Sequence, residues 1–317
     1  MSDDFATAMG LLLGDRPSLA DVQQAASLLE RQSEQGNGDA SERLALLDAL
    51  GSARPPDWDR ALDFLVKGAV QGSRLAQEQL LLLLDNECDP DVPADATPDF
   101  WSRARAQVPL QERMQPGAKE SLSDSPRIRQ IRGFVTPAEA RWLVALSRAR
   151  LAPATVFDQY TGGQTVDESR DNSFLVLRLG EMNLVTEVIR QRIAAATKLP
   201  APLFEPSQLL HYSVGQRFKP HHDFLDPDNP AYRDSLARFG QRIATFLIYL
   251  NDDYEGGETN FSTINLKFRA RQGDALFWAN VTPDGAPDLK TVHSGMPPTA
   301  GEKWVFSQWI RDQFPKA

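Results

Sequence analysis

The chain contains two histidines and one aspartate at a spacing suited to holding a metal ion. His221 and Asp223 are separated by one residue, and His293 follows far along the chain. In an extended strand, residues i and i+2 point to the same face, so His221 and Asp223 can hold one ion while His222 points away. Two imidazoles and one carboxylate hold Fe(II) on one side and leave coordination positions open for chemistry. His211, the remaining histidine, has no partner at ligand spacing and is predicted to be a structural strand residue.

Lys303 is a second candidate for chemistry, because it begins a strongly apolar, strand-like segment. Alternation along this segment places Lys303 on the same face as Val305, Ser307 and Trp309. We therefore expect that face to form the wall of a pocket.

These residues belong to a longer pattern that resembles the catalytic domain of 2-oxoglutarate-dependent prolyl 4-hydroxylases. It consists, in order, of residues 212–223 (YSVGQRFKPHHD), 242–251 (RIATFLIYLN), 256–261 (GGETNF), 273–277 (GDALF), 293–295 (HSG) and 301–309 (GEKWVFSQW). The order and intervals resemble the family over roughly residues 128 to 313. A series of motifs at matching intervals is far more specific than any one of them.

The resemblance implies a site for Fe(II) and for the cosubstrates 2-oxoglutarate and O2. His221, Asp223 and His293 would be the iron ligands, and Lys303 would pair with the distal carboxylate of 2-oxoglutarate. Such an anion would also explain a lysine in an apolar pocket, where an uncompensated charge is costly. The catalytic set is therefore His221, Asp223, His293 and Lys303, and ascorbate is a further cofactor that the resemblance suggests.

Further residues are assigned by the same resemblance. Tyr212 and Tyr249 stand at positions of the family's hydrogen-bond donors to the cosubstrate. Arg242 and Trp309 match positions that contact the peptide. Phe218 stands where several relatives have tyrosine, and the missing hydroxyl leaves the details of proline recognition open.

Three functions are compatible with this pattern. The first is hydroxylation of a prolyl residue, at C4, in a protein or peptide, with release of succinate and CO2. The second is hydroxylation of another residue or of a small molecule. The third is a noncatalytic protein that binds partners through N-terminal repeats and keeps a vestigial pocket; the intact ligand set and Lys303 argue against it.

The elements that must position these residues are short strands. Strand patterns separated by turn signals cover residues 209–212, 243–250, 259–261, 266–268, 275–278 and 304–310. They predict an α+β protein whose catalytic domain is a double-stranded β-helix, or jelly-roll, braced by helices. Thr136 and Glu139 form a capping box before one bracing helix, and Asn183 can cap a second one.

Two segments are predicted to be loops that select the substrate. Residues 224–240 contain prolines and polar residues next to the metal ligands, which is typical of a binding loop. Residues 161–173 resemble a segment that covers peptide substrates in the family. Both could equally be ordinary surface connections.

The N-terminal part of the chain contains two stretches that align at a shift of 36 residues, for example Ala25 with Ala61 and Gln35-Gly36 with Gln71-Gly72. A period of this size indicates helical hairpins that stack on one another. The pattern resembles Sel1-like repeats of the tetratricopeptide superfamily, which suggests either capture of the protein substrate or simple stabilisation of the fold. We predict an all-α repeat domain over residues 1–110, a linker over 111–127 and the oxygenase domain over 128–317.

Composition limits the remaining possibilities. The formal net charge is −9 and no basic run is present, which argues against nucleic acid as a partner. Cys88 is the only cysteine, so an intramolecular disulfide and cysteine-ligated zinc are excluded. No stretch approaches a membrane span and the N-terminus has no secretory pattern, so a cytoplasmic location away from membranes is expected.

Overall fold

The structure is a computed structural model that describes residues 4–14, 17–52, 54–153, 156–157, 164–165 and 171–314. The predicted substrate-covering segment 161–173 lies mostly outside these residues. The chain divides into two compact units, one formed by Met1–Gln115 with Leu177–Arg192 and the other by Pro116–Val176 with Ile193–Ala317.

The first unit is helical. It contains α1 (Asp4–Leu12), α2 (Leu19–Glu34), α3 (Gly38–Leu50), α4 (Trp58–Val70), α5 (Arg74–Leu84), α6 (Pro98–Gln107) and α7 (Leu110–Arg113). The pairs α2–α3 and α4–α5 reproduce the predicted period, since Asn37 caps α3 and Ser73 caps α5 at equivalent positions. Each cap side chain accepts a hydrogen bond from a backbone N–H of the first helical turn. Small and aliphatic side chains such as Ala25, Leu29 and Leu44 fill the core of this unit.

The second unit contains the sheets. Its strands are β1 (Lys119–Asp124), β2 (Arg127–Ile131), β3 (Ala152–Pro153), β4 (Val156–Phe157), β5 (Gln164–Thr165), β6 (Ser173–Leu177), β7 (Ser207–Tyr212), β8 (Phe218–His221), β9 (Arg242–Tyr249), β10 (Glu255–Gly256), β11 (Thr259–Phe261), β12 (Leu266–Phe268), β13 (Ala275–Ala279), β14 (His293–Gly295), β15 (Pro298–Ala300) and β16 (Lys303–Arg311). The predicted strands are all present, with ends that differ by at most two residues.

An eight-stranded sheet and a four-stranded sheet make up the framework. The larger one has the order β1-β2-β13-β9-β16-β7-β6-β3, and the smaller one has the order β12-β11-β14-β8. Apolar side chains from both sheets form one core, for example Leu210 and Val305 from the larger sheet with Phe261 and Phe268 from the smaller one. Two antiparallel sheets packed over a shared core form the predicted jelly-roll.

Three further helices follow in the chain: α8 (Pro137–Arg148) and α10 (Arg233–Phe239) belong to the second unit, whereas most of α9 (Leu184–Thr197) belongs to the helical unit. The predicted capping box of α8 is present, with Thr136 and Glu139 each accepting from the other's backbone N–H. Asn183 accepts from the N–H of Thr186 at 2.9 Å, as expected for the cap of α9. Helix α10 lies within the predicted loop 224–240, where prolines and polar residues had hidden a short helix.

The domain boundaries differ from the prediction in two places. Residues 119–124 of the predicted linker form β1, which pairs with β2 at the edge of the larger sheet. This strand is polar and largely exposed, so it lacks the apolar alternation that marks a strand in sequence. Leu177–Arg192 belongs to the helical unit, because Arg43 donates to the carbonyl oxygens of Gly180 (3.2 Å) and Met182 (2.6 Å).

Among the described residues, none of the helices combines the length and apolarity needed to cross a lipid bilayer.

Candidate metal centre and its cavity

The structure brings His221, Asp223 and His293 together. His221 ends β8 and His293 begins β14, and the two residues face each other in the antiparallel pairing of these strands. Nε2 of His221 lies 3.5 Å from Oδ1 of Asp223, and Nε2 of His293 lies 3.5 Å from Oδ2. The three donor atoms are within 4.8 Å of one another, which is close enough for one ion to bind all of them.

Both histidines present Nε2 to this centre because Nδ1 is engaged elsewhere. Nδ1 of His221 lies 2.8 Å from the carbonyl oxygen of Lys219, and Nδ1 of His293 lies 3.0 Å from that of Thr291. A carbonyl only accepts, so Nδ1 carries a proton in both rings, and Nε2 is the nitrogen that can offer a lone pair to a metal ion. Backbone partners of this kind orient metal-binding histidines. The donor set therefore fits Fe(II), with two imidazole nitrogens and one carboxylate.

Burial and neighbouring groups set the charges of the centre. Burial lowers the pKa of His293 to about 4, helped by His221 and opposed by Asp223, so its imidazole is neutral at pH 7. Burial alone would raise the pKa of Asp223, but His293, His221 and Thr245 together lower it below its usual range. Neutral imidazoles and an ionised carboxylate are the forms that bind a metal ion.

His222 does turn away from the centre, although not for the predicted reason alone. Strand β8 ends at His221, so alternation along an extended chain does not reach Asp223. Nε2 of His222 lies 3.1 Å from the carbonyl oxygen of Leu289, and its ring packs on Phe224 with centroids 4.6 Å apart.

Asp223 is held by a hydrogen-bond relay that the sequence did not reveal. The Thr245 hydroxyl donates to Oδ2 of Asp223 at 2.7 Å, and Nδ2 of Asn280 donates to the Thr245 hydroxyl at 3.0 Å. All three side chains are buried. The available signal was a threonine in the middle of the largely apolar strand β9, and such a residue also occurs without any function.

His221, Asp223 and His293 line a cavity between the two sheets. Its walls are formed by Gln208, Leu210, Tyr212, Phe218, His221, Asp223, Thr245, Leu247, Thr259, His293, Gly295, Lys303, Val305, Ser307 and Trp309. The four residues that were predicted to share one face of β16 all line it. Most of the wall is therefore built by β7, β9 and β16, which are neighbours in the larger sheet.

Lys303 is the buried cation of this cavity. Its side chain is 2% exposed, and Nζ donates to the carbonyl oxygen of Gly257 at 2.7 Å. Gly257 has a φ of +67°, and a Cβ there would lie 3.4 Å from Cδ of Lys303 and 2.9 Å from the Tyr254 ring. Burial lowers the pKa of Lys303 to about 7, opposed by Glu258. In the described part of the chain no carboxylate forms an ion pair with Lys303, so an anionic ligand would supply its missing partner.

The two predicted tyrosines differ in their position. Lys303 pairs with Tyr212 across β16 and β7, and Tyr212 lines the cavity. Tyr249 is fully buried beside the cavity, with its hydroxyl 2.7 Å from Oγ1 of Thr259. Thr259, which was absent from the prediction, lines the cavity, whereas Tyr249 does not.

Two of the three predicted substrate residues line the cavity, and the third does not. Phe218 lines the cavity and stacks on His221, with ring centroids 3.6 Å apart. Trp309 lines it as well, but Arg242 does not. The Arg242 guanidinium lies 3.7 Å from the centroid of the Trp309 ring and pairs with Glu205 through two hydrogen bonds of 2.6 and 2.9 Å. Arg242 therefore packs on a residue of the wall, and its contact with the substrate stays a prediction.

His211 lies on β7 as predicted. Its Nε2 is 2.9 Å from Oε2 of Glu302, and its ring packs on Trp304 with centroids 4.5 Å apart. It takes no part in the cavity wall.

Comparison with known proteins extends these findings. The sequence profile of the 2OG-Fe(II) oxygenase superfamily matches residues 207–311. Prolyl 4-hydroxylase 1 of Arabidopsis thaliana is 35% identical over 208 residues, which cover 61% of this chain and 72% of that protein. Prolyl 4-hydroxylase subunit alpha-1 of Rattus norvegicus is 34% identical over 199 residues, or 62% of this chain and 37% of that protein. The crystal structure of the viral collagen prolyl hydroxylase of Paramecium Bursaria Chlorella virus-1 aligns with a TM-score of 0.46 and 26% identity, covering 60% of this chain and 98% of that one.

Proposed function

The chain belongs to the prolyl 4-hydroxylase family of 2OG-Fe(II) oxygenases, and from this premise we propose that it hydroxylates a prolyl residue, at C4, in a protein or peptide. It is a 2-oxoglutarate-dependent dioxygenase, in which one oxygen atom enters the target and 2-oxoglutarate becomes succinate and CO2. The observation that carries the proposal is the placement of two Nε2 atoms, one carboxylate and one buried lysine in a single cavity.

Each side chain of the cavity has a distinct task. His221, Asp223 and His293 would hold Fe(II), and all three line the cavity. When bound, the metal supplies the oxidising chemistry that replaces a C–H bond of the substrate by C–OH. The chain itself supplies the imidazole nitrogens, an ionised carboxylate and the walls of the cavity.

Lys303 would bind the distal carboxylate of 2-oxoglutarate. The ammonium group is buried and its one described hydrogen bond goes to a backbone carbonyl, so it has donors left for an anion. Charge-assisted hydrogen bonds of this kind are stronger than neutral ones. The Tyr212 and Thr259 hydroxyls border the same space and would add neutral hydrogen bonds.

Phe218 and Trp309 would form the apolar walls that receive the target residue. Phe218 covers the His221 ring, and Trp309 is held by the cation of Arg242. A pyrrolidine ring fits between aromatic faces of this type, because it buries apolar area and offers few hydrogen bonds.

The test is conversion of a proline-containing peptide by the full chain with Fe(II), 2-oxoglutarate and O2. Mass spectrometry should show a gain of one oxygen atom, matched by release of one succinate. His221→Ala and Asp223→Ala should reduce turnover by at least about 100-fold, since each removes a metal ligand, whereas His222→Ala should stay close to the wild type.

The outcomes separate the alternatives. Succinate release without peptide modification would favour another residue or a small molecule as substrate. Absence of both products in a protein that still binds Fe(II) would favour a noncatalytic binding protein. Unchanged turnover in the Asp223→Ala variant would show that the ligand assignment is wrong.

Three finer points stay predictions. We propose that the helical hairpins, by their resemblance to Sel1-like repeats, bind the protein that carries the target proline. Ascorbate as a supporting reductant and a cytoplasmic location are likewise expected. Comparison of a short peptide with its whole parent protein, with and without mutations on the exposed face of α4, would test the role of the hairpins.

A further inference from the structure

A serine on β16 presents a free hydroxyl to the cavity. Ser307 lines the cavity between Val305 and Trp309 and is 5% exposed. Its hydroxyl makes no hydrogen bond to any residue that the structure describes. A buried hydroxyl without a partner costs free energy, because it has given up its hydrogen bonds to water. A ligand that accepts a hydrogen bond at this place would remove that cost.

The two threonine hydroxyls of the same wall are already engaged. Thr245 donates to Asp223 at 2.7 Å, and the Thr259 hydroxyl lies 2.7 Å from that of Tyr249. Within the described part of the chain, Ser307 therefore carries the one aliphatic hydroxyl of the cavity wall that is left for a ligand.

The strand pairing places Ser307 between the metal ligands and the buried lysine. Two residues further along β16, Trp309 pairs with Thr245, which binds the metal ligand Asp223. Lys303 lies four residues away in the other direction and on the same face of the strand. A ligand that reaches from the metal to Lys303 therefore passes over Ser307.

Burial shows which end of the cavity is closed. Lys303 and Tyr212 are 2% and 4% exposed, whereas Trp309 and Gln208 at the other end are half-buried. The target residue would enter from the open end. The cosubstrate would therefore occupy the inner part, between the metal ligands and Lys303.

The length of 2-oxoglutarate fits this space. An extended strand advances by about 3.3 Å per residue, so Lys303 and Ser307 are roughly 13 Å apart along β16. The five-carbon chain of 2-oxoglutarate spans about 5 Å between its carboxyl carbons, and the lysine side chain covers part of the remaining distance. With its distal carboxylate on Lys303, the cosubstrate would direct its 1-carboxylate toward Ser307.

We propose that the Ser307 hydroxyl donates a hydrogen bond to the 1-carboxylate of 2-oxoglutarate. The inference rests on the cosubstrate site of the proposed function and adds a residue to it. A carboxylate has two oxygens, so one can bind a metal while the other accepts from a hydroxyl. Because the acceptor is charged, this bond is stronger than one between neutral groups. Lys303 and Ser307 would thus hold the two carboxylates of the cosubstrate at opposite ends.

The experiment compares the wild type with Ser307→Ala and with Ser207→Ala as a matched control. Ser207 is also buried, on the neighbouring strand β7, but its hydroxyl donates to Oε1 of Gln308 at 2.6 Å and the residue does not line the cavity. The ligands are 2-oxoglutarate and 4-oxopentanoate, in which a methyl group replaces the 1-carboxylate. Calorimetry on the full chain with Mn(II) in place of Fe(II), without peptide, gives each Kd.

We expect Ser307→Ala to raise the Kd of 2-oxoglutarate by about tenfold and that of 4-oxopentanoate by less than about twofold. Without ligand, Ser307→Ala should unfold at the same temperature as the wild type or at a higher one, because an unpartnered hydroxyl has been removed. Ser207→Ala should unfold at a lower temperature and bind 2-oxoglutarate as the wild type does.

An unchanged Kd of 2-oxoglutarate in Ser307→Ala would overturn the proposal, and so would an equal loss of affinity for both ligands. A higher KM for the peptide with an unchanged Kd of 2-oxoglutarate would also overturn it, because the hydroxyl would then serve the target residue. A lower unfolding temperature of unliganded Ser307→Ala, as expected for Ser207→Ala, would show that the hydroxyl has a structural partner.

The binding measurements omit the peptide, so they separate this inference from the proposed function. A tenfold effect on the Kd of 2-oxoglutarate in a protein that hydroxylates no proline would leave the assignment of Ser307 standing and remove the prolyl hydroxylase assignment. Hydroxylation of the peptide, combined with an unchanged Kd in Ser307→Ala, would do the reverse.

Discussion

The hydroxyl of Thr245 donates a hydrogen bond to Oδ2 of Asp223 across 2.7 Å, within the buried wall of the cavity. An ionised carboxylate only accepts, so Thr245 must donate. The hydroxyl proton of Thr245 is therefore used in this bond, and the Thr245 oxygen can only accept from Asn280. Nδ2 of Asn280 does donate to it, at 3.0 Å. The two bonds fix the direction of the carboxylate before any metal binds.

Thr245→Val should therefore weaken metal binding. Valine has nearly the same shape but cannot donate, so Asp223 loses its support and Nδ2 of Asn280 loses an acceptor. Loss of such a supporting hydrogen bond costs about 10- to 100-fold in metal affinity. The Kd for Fe(II), titrated without oxygen, measures this directly.

Thr245→Ser is the matched control, because it keeps the hydroxyl and removes only a methyl group. It should bind Fe(II) within a few-fold of the wild type. If the valine variant also binds Fe(II) as tightly as the wild type, the hydrogen bond does not position the carboxylate.

Affinity for 2-oxoglutarate should fall as the pH rises above neutrality. Burial lowers the pKa of Lys303 to about 7, Glu258 opposes this, and the Tyr212 and Tyr249 rings lie 5.4 Å from Nζ. Only the protonated lysine attracts the anion, so affinity is greatest below pH 7. Above it the Kd should rise by about tenfold per pH unit, as calorimetry with Mn(II) in place of Fe(II) would show.

Two variants of Lys303 separate charge from shape. Lys303→Arg stays protonated throughout, so its Kd should change little between pH 6 and 9. Lys303→Met should bind 2-oxoglutarate weakly at every pH. A wild-type Kd that is constant over this range would contradict the titration of Lys303.

Glu205→Ala should destabilise the fold strongly. Glu205 accepts from Arg242 and from Arg311, each at 2.6 Å, and both arginines are largely buried. Removal of a partner that leaves buried charge uncompensated costs about 3–5 kcal/mol in the free energy of unfolding. The control Glu120→Ala breaks an exposed pair with Arg132 and should hardly change the free energy of unfolding, because water screens the two charges. Urea unfolding of both variants checks the difference.

The ion pair of Glu205 with Arg242 also bears on substrate binding, because Arg242 packs on Trp309. Arg242 loses its anchor when Glu205 is removed, so the Trp309 ring loses the cation that packs on it. A rise in KM for the peptide, with a smaller change in kcat, is expected in Glu205→Gln, which retains the shape of the side chain. Equal KM values in this variant and the wild type would mean that the Trp309 position does not depend on Glu205.

Arg43→Ala should destabilise the helical unit. Arg43 is 6% exposed, donates to the carbonyl oxygens of Gly180 and Met182, and pairs with buried Glu42. Its loss leaves Glu42 with only the Gln79 side chain as a described donor, so we expect a cost of about 3–5 kcal/mol.

The control is Arg74→Ala, which breaks an exposed i,i+4 pair with Glu78 on α5. Such pairs contribute about 0.3–0.5 kcal/mol. Similar unfolding midpoints for the two arginine variants would rule out a special role for the buried cluster.

Features that depend on a few neighbouring residues follow from the sequence, whereas features that depend on distant residues do not. Capping at Thr136 and Asn183 was recognised because a cap is decided within four residues. The face of β16 that carries Lys303 and Trp309 was recognised because alternation is local. In contrast, β1 was assigned to a linker, because a polar edge strand has no apolar period and gains its structure from pairing with β2.

The amino-acid sequence by itself predicted His221, Asp223 and His293 as one group, Lys303 as a residue of the cavity, and the positions of six strands along the chain. Residue type, spacing and alternation are properties of neighbours in the chain. Only the tertiary structure decided which hydroxyls and charges surround them. Thr245 donates to Asp223 and Asn280 donates to Thr245, the Thr259 hydroxyl meets that of Tyr249, and Glu205 pairs with Arg242. Hydrogen bonds and ion pairs between distant residues depend on distances of a few tenths of an ångström, and packing sets those distances.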